Sequence, residues 1–158
     1  MRKRIIAQAE QNSASKNEQW LDLANSADVE ISSEDEGYPI ESALLSDDGP
    51  GWRADAPGAQ TIRLVFEKPQ ALSRIQLIFK EPNLARTQEF VLRGSEDGGR
   101  CFREIARQQW NFSLEGSMTE TEDYTVKFDG VTVLELTIIP DISGDPLAVA
   151  SLARLRLA

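Results

Sequence analysis

The sequence predicts an all-β fold, an antiparallel β-sandwich or jelly roll of about eight strands, on three observations. Short segments alternate apolar and polar residues, as in strands whose successive side chains point to opposite faces. Turn-forming residues separate these segments, and only the stretch 40–45, which follows Pro39, favours a helix. With 158 residues, 41% hydrophobic and 27% charged, the chain suits one globular domain.

The alternation places the strands in chain order. Residues 61–66 bring Ile62, Leu64 and Phe66 to one face, because these apolar residues are two positions apart. The final strand directs Leu155 and Leu157 inward and Arg154 and Arg156 into water. The same period predicts further strands over 74–79, 88–93, 124–128 and 132–138, with weaker ones over 29–31 and 101–105.

Turns and domain limits follow from composition. Residues 95–99 and the pair Asp129-Gly130 are typical of tight turns, since Gly and Asp tolerate positive φ. Residues 1–17 lack apolar periodicity and are predicted to be a flexible N-terminal lead-in, which leaves residues 18–158 as the single sandwich domain.

Two individual side chains also have expected positions. Cys101 is expected to be a buried thiol inside a strand, and Trp20 is expected to anchor the lead-in.

Composition excludes several classes of function. The chain has no His and a single Cys, which rules out Ser-His-Asp triads, His-ligated zinc, a Cys₄ cluster and an internal disulfide. Absence of disulfides and of an export signal predicts a reducing, cytoplasmic location. Its formal net charge of −9 disfavours nucleic acid and anionic membrane as partners.

Loop lengths predict the position of a binding site. If consecutive strands are antiparallel, connections alternate between the two ends of the sandwich. The short, turn-like ones near 67–73, 94–100 and 129–131 fall at one end, and the longer ones (33–60, 80–87, 110–121 and 140–149) fall at the other. Aromatic, Arg and amide side chains in these loops suit a sugar or a small polar ligand. The predicted ligand-binding residues are Trp52, Arg53, Asn83, Arg86, Trp110 and Asn111, with Asp47, Asp48, Asp141 and Asp145 nearby. For Trp52 and Trp110 the alternative to a sugar-stacking face is a place in the core.

Part of the sequence resembles the discoidin, or coagulation factor 5/8 type C, family, which belongs to the galactose-binding-like jelly rolls. The resemblance covers about residues 27–158 and is carried by Ile31-Ser32-Ser33, 45–52, 60–64 and especially 90–105. It implies an eight-stranded, non-catalytic jelly roll that binds carbohydrates, lipids or proteins through loops at one end. It also implies a structural calcium ion in the loop 45–52, with Asp47 and Asp48 as side-chain ligands; an Asx turn is the alternative there.

Two interpretations of function remain open, neither of which requires a cofactor. The first is a non-catalytic module that binds a carbohydrate or a small polar ligand at the long-loop end. The second is an intracellular adaptor of the same fold that binds a protein partner and no small molecule. A third interpretation, glycoside hydrolysis by acids such as Glu120 and Glu122, ranks lowest, because acidic clusters arise by chance in so acidic a chain.

Overall fold

The computed structural model describes residues 20–158, which form eight strands and two short helices. Neither helix in this range has the length or apolar character to cross a bilayer. The helices are α1 (Leu23–Ser26) and α2 (Ile40–Leu44). The strands are β1 (Ala27–Ile31), β2 (Trp52–Pro57), β3 (Gln60–Lys80), β4 (Arg86–Ser95), β5 (Arg103–Phe112), β6 (Thr119–Ile139), β7 (Val149–Leu152) and β8 (Arg154–Leu157).

The backbone of the fold is a long antiparallel ribbon of β3 and β6. Gln60 pairs with Ile138 at one end of the ribbon and Lys80 with Thr119 at the other, with register shifts between Val65 and Arg74. Glu89 of β4 pairs with Ile139, the last residue of β6. The side-chain amide of the neighbouring Gln88 donates to Glu120, the second residue of β6. Both ends of β6 therefore lie together, so the ribbon folds over at its irregular middle.

Folding over gives the ribbon two layers. One layer joins β1, the first half of β3, the second half of β6, β4 and β5, in that order. The other joins the first half of β6, the second half of β3 and β8. The core lies between them, and the Phe79 and Phe90 rings, one from each layer, meet with centroids 5.2 Å apart. These findings confirm the predicted sandwich.

A second, two-stranded sheet covers the side of the sandwich next to β8. Trp52 of β2 pairs with Leu152 of β7, and Arg53 pairs with Ser151. The loop from α2 into β2 ends at Gly51, whose φ is +82° and whose missing Cβ would lie 2.7 Å from the Leu152 carbonyl oxygen. Only glycine suits that position, because it combines a left-handed backbone with close contact to β7.

Two predicted turns are wrong. Residues 67–73 and the pair Asp129-Gly130 do not separate strands but lie inside β3 and β6, at the corner where the ribbon folds over. Phe128 and Val131 on either side of Asp129-Gly130 are both buried, so the chain stays within the sheet while crossing from one layer to the other. The predicted turn at 95–99 is confirmed, with positive φ at Gly98 and Gly99.

Two side chains lie in environments opposite to those predicted. Cys101 is exposed, because β5 begins only at Arg103 and Cys101 belongs to the preceding turn, where its amide donates to the Asp97 carboxylate. Arg156 is buried, because the loop after α2 covers the outer face of β8.

The N-terminal region is described from Trp20 onward. The predicted lead-in over residues 1–17 lies outside the described residues. Trp20 is half-buried, and the Arg74 guanidinium lies 4.8 Å from its ring centroid. The Leu21 amide donates to the Leu157 carbonyl at 2.7 Å, so this segment is held against the C-terminal strand.

Candidate ligand-binding groove

The long connections do meet at one end of the sandwich, as loop parity predicts. The Glu81 amide donates to the Met118 carbonyl at 2.8 Å, which joins the loop 81–85 to the loop 113–118. The Ile142 amide donates to the Thr87 carbonyl at 2.9 Å, which brings the loop 140–148 to the start of β4.

A groove of about 580 Å³ opens beside these loops, between the β2–β7 sheet and the end of β3. A recess of about 140 Å³ extends it past Arg53 and Asn83 towards Leu84 and Leu147. We call this the β2–β7 groove. Its main chamber is lined by Tyr38, Asp47, Gly49, Pro50, Trp52, Arg53, Ile78, Lys80, Pro82, Asn83, Ser151, Leu152, Ala153 and Arg154.

Trp52 forms the floor of the groove and belongs to the core. Only 1% of the residue is exposed, and its indole N–H donates to the Ser33 carbonyl at 3.1 Å. Because almost none of its ring reaches solvent, Trp52 supports the groove rather than offering a stacking face to a sugar.

Arg53 projects from the wall of the groove. Its guanidinium carbon lies 4.3 Å from the centroid of the Tyr38 ring, and its amide donates to the Tyr38 carbonyl at 3.2 Å. Its own carbonyl accepts from the Asp35 amide at 2.9 Å. Backbone and side chain are thus both fixed against the loop 32–51, which orients the guanidinium.

Asn83 reaches the groove from the loop 81–85, and Arg86 holds that loop in place. The Arg86 Nε donates to the Glu81 carboxylate at 2.7 Å, and the other oxygen of that carboxylate accepts from the Asn83 amide at 3.1 Å. The Arg86 Nη1 also donates to the Pro140 carbonyl at 2.6 Å. Arg86 is buried, so it positions the loop and does not line the groove.

Trp110 and Asn111 lie outside the β2–β7 groove, on the outer strand β5. Trp110 pairs with Gln88 and is half-buried against the core. Asn111 is exposed and its side-chain oxygen accepts from the Thr87 hydroxyl at 2.6 Å. Of the six residues predicted to bind ligand, the structure therefore brings Trp52, Arg53 and Asn83 together.

Sequence reasoning missed four polar groove residues, of which Ser151 belongs to the short strand β7 that the alternation did not predict. Lys80 is the last residue of β3, and its position directly before a long loop was the available signal. Arg154 lies on the outer face of β8, where alternation predicts solvent. Tyr38 belongs to an irregular loop, and nothing local to it indicates that it lies beneath Arg53.

A buried polar cluster lies behind the groove, between the layers. Gln88 accepts from Arg86 Nη1 at 3.3 Å and donates to the Glu120 carboxyl at 3.2 Å. Three buried polar atoms in this region, Arg86 Nη2, Trp110 Nε1 and Glu120 Oε2, have no hydrogen-bond partner among the described residues. Burial raises the pKa of Glu120 to about 8, and the adjacent Glu122 carboxyl adds to the rise.

The loop predicted to hold calcium is bound by arginines of β8. Arg156 Nη1 donates to the Ala43 and Leu44 carbonyls at 2.9 and 3.0 Å, and Nη2 donates to the Ser46 carbonyl at 2.7 Å and to the Asp47 carboxylate at 3.1 Å. Arg154 donates to the Asp47 carbonyl at 2.7 Å.

These oxygens are the type that calcium needs, and guanidinium groups already occupy them. Asp48 is exposed, and residues 20–158 contain no cluster of three or more acidic, Cys or His side chains suited to a metal. The residues present therefore do not suit a calcium ion, and a cation there would face the charge of Arg156.

The other predicted acids shape a loop. Asp141 accepts from the Ser143 amide at 3.1 Å, and Asp145 accepts from the Leu147 amide at 2.9 Å. Both contacts span two residues, which is the geometry of an Asx turn. These carboxylates therefore hold the loop 140–148 in its conformation.

No protein-family model and no curated protein matches the chain. Solved structures do match it. A family 32 carbohydrate-binding module from Clostridium perfringens NanJ, in complex with galactose, is 19% identical with a TM-score of 0.57, and the match covers 87% of this chain and 96% of that one. A pectin-binding carbohydrate-binding module is 17% identical with a TM-score of 0.61, over 84% and 90%.

A third solved structure, the family 32 module of AlyQ in complex with 4,5-unsaturated mannuronic acid, is 15% identical with a TM-score of 0.59, over 84% of this chain and 97% of that one. Identities this low establish the fold and not the ligand. The chain has the discoidin-like, galactose-binding-like β-sandwich fold that these modules share.

Proposed function

We propose that this chain is a non-catalytic carbohydrate-binding module and that a saccharide binds in the β2–β7 groove. The observation that carries the proposal is the groove itself, where an arginine stacked on an aromatic ring, an amide and a hydroxyl (Arg53, Asn83 and Ser151) meet at the long-loop end. Such groups donate to and accept from sugar hydroxyls, while Tyr38 adds an apolar surface. The ligands of the neighbouring folds, galactose among them, support a saccharide.

The positions of the acids argue against hydrolysis. Glu120 is completely buried and its carboxyl is engaged by Gln88, so it does not face the groove. Asp47 lines the groove but is held by Arg156. A glycosidase needs two carboxyl groups on either side of the scissile bond. The groove carboxylates among the described residues are Asp47 and Glu81, and Arg156 and Arg86 already pair with them.

Two asparagines at the same end of the molecule give a matched test. Asn83 lines the groove and Asn111 does not. After a glycan array identifies a saccharide, calorimetry on Asn83→Ala is expected to show affinity weakened by about 5- to 10-fold, the cost of one hydrogen bond. Asn111→Ala is expected to bind as wild type. Loss of binding in Asn111→Ala alone would move the site to the β4–β5 edge.

Exposed apolar side chains favour the protein-binding adaptor as the second candidate. Leu114, Ile142 and Leu147 are 50%, 51% and 76% exposed and lie in loops of the long-loop end. Exposed apolar residues brought to one end of a domain suit a protein partner. Stable co-purification of a basic protein, lost in Ile142→Ser and retained in Asn83→Ala, would favour the adaptor over the module.

A further inference from the structure

The charge of the β2–β7 groove is opposite to that of the chain. The protein carries 26 acidic and 17 basic residues, yet its main chamber is lined by three cations, Arg53, Lys80 and Arg154, and by one carboxylate, Asp47. That carboxylate is already bound by Arg156. The side recess adds Glu81, which is neutralised by the buried Arg86. The groove therefore presents positive potential on an acidic protein.

Two of the three cations have no ionic partner in the fold. Among residues 20–158, no carboxylate forms a salt bridge with Arg53 or Lys80. This is not for lack of acids, since seven other arginines are paired. The paired arginines are Arg63, Arg74, Arg86, Arg93, Arg107, Arg154 and Arg156.

Arg53 is also held ready to receive an anion. Tyr38 stacks against one face of its guanidinium, which leaves the N–H donors at the edge of the plane for a ligand. A planar fork of donors matches a carboxylate, with which it forms charge-assisted bonds stronger than bonds to a neutral hydroxyl. Ser151, which pairs with Arg53 across β2 and β7, and Asn83 line the same space and suit the hydroxyls of a sugar ring.

We infer that the β2–β7 groove selects acidic saccharides, with Arg53 and Lys80 binding a sugar carboxylate while Asn83 and Ser151 bind neighbouring hydroxyls. The inference rests on the proposed function and specifies its ligand class. The ligand chemistry it names is that of a uronic acid residue in an oligosaccharide.

Matched pairs of sugars test the charge preference directly. Oligosaccharides of galacturonate and galactose, glucuronate and glucose, and mannuronate and mannose differ at one carbon, where the acid has a carboxylate and the neutral sugar a hydroxymethyl group. By calorimetry we expect at least one acidic member to bind about 10-fold or more tightly than its neutral counterpart at low salt. The advantage should shrink as NaCl rises from about 50 to about 500 mM, because salt screens exposed charges.

Charge-removing variants locate the effect. Arg53→Gln and Lys80→Gln are expected to bring the affinity for the acidic sugar down to that of the neutral one. The controls Arg107→Gln and Lys68→Gln remove the same charges on exposed side chains outside the groove and should bind as wild type. Circular dichroism establishes that every variant is folded.

The outcomes separate the inference from the proposed function. Equal affinity for both members of every pair, weakened in Asn83→Ala, would overturn the charge preference and leave the carbohydrate-binding module intact. Tighter binding of an O-sulfated galactose than of galacturonate would overturn the carboxylate as the recognised group. Binding of no saccharide would overturn both.

Discussion

Glu120 gives the sharpest test of the buried polar cluster. The residue has no exposed surface, its Oε1 accepts from the Gln88 amide, and the Glu122 carboxyl lies two residues further along the same strand. Burial, reinforced by Glu122, raises its pKa from 4.5 to about 8, while Gln88 and the more distant Arg86 oppose the rise. The folded protein therefore keeps a proton on Glu120 at neutral pH that the unfolded chain releases.

The sign of the effect on stability follows from proton uptake. Between the unfolded pKa of about 4.5 and the folded pKa of about 8, the folded state binds more protons, so the free energy of unfolding falls as pH rises. A difference of about 3.5 pKa units corresponds to at most about 5 kcal/mol, at about 1.4 kcal/mol per unit. We expect roughly half of this, because the ribbon can relax and admit water.

Glu120→Gln removes the titration but keeps the contact. The new amide oxygen can still accept from Gln88, and the uncharged amide replaces the protonated carboxyl at similar size. The variant is expected to match wild type near pH 5 and to exceed its stability by about 2 kcal/mol near pH 9. Urea denaturation at pH 5, 7 and 9 measures the difference.

An exposed acid provides the control. Glu115 lies in the loop 113–118 and Glu115→Gln should track wild type at every pH. Parallel curves for Glu120→Gln and wild type would refute the raised pKa. If the stability of Glu120→Gln relative to wild type were lower at pH 9 than at pH 5, the predicted direction of the pH dependence would be refuted.

Three further predictions concern buried charge and the loop after α2. Arg156→Met is expected to lower the free energy of unfolding, measured by urea denaturation, by about 3 kcal/mol, because it leaves the carbonyls of Ala43, Leu44 and Ser46 without a donor. Neither calcium nor a chelator is expected to change the melting temperature of the wild-type protein, because the arginine donors already occupy those oxygens. Burial opposes ionisation of Glu135, but hydrogen bonds from Arg93 and Arg63 prevail and lower its pKa. Glu135→Gln is therefore expected to lower the free energy of unfolding by about 1–2 kcal/mol at neutral pH, and by less as the pH falls below about 4. Urea denaturation at each pH measures the difference.

The strands could be predicted because their signal is local. In the first half of β3 every second residue is buried and the residues between them are half-buried. Ile62, Leu64 and Phe66 are all buried, as expected. The corner in the same strand could not be predicted, because Pro69 and its polar neighbours have the composition of a turn. Only pairing with β6, on a distant part of the chain, keeps them within the sheet.

The groove was only partly predictable for a related reason. Loop parity uses lengths alone, and it placed Arg53 and Asn83 at the same end, where both line the β2–β7 groove. It says nothing about which side chains turn inward. Arg86 is buried because Glu81 and the Pro140 carbonyl, from two different loops, accept from its Nε and Nη1 atoms. Burial of a charged side chain is costly unless partners compensate it, so the burial of Arg86 cannot be predicted before those partners are known.

The outer face of β8 connects the stability of the fold to the groove. Alternation assigns Arg154 and Arg156 to solvent, but the loop after α2 crosses that face and turns its carbonyls towards them. Both terminal nitrogens of Arg156 donate within the protein, whereas the side chain of Arg154, at the edge of the loop, is 31% exposed and lines the groove. The arginine contacts that hold the loop 45–51 in place therefore also set the position of one wall of the groove. Shortening Arg156 should displace Asp47 and weaken ligand binding without removing any groove cation.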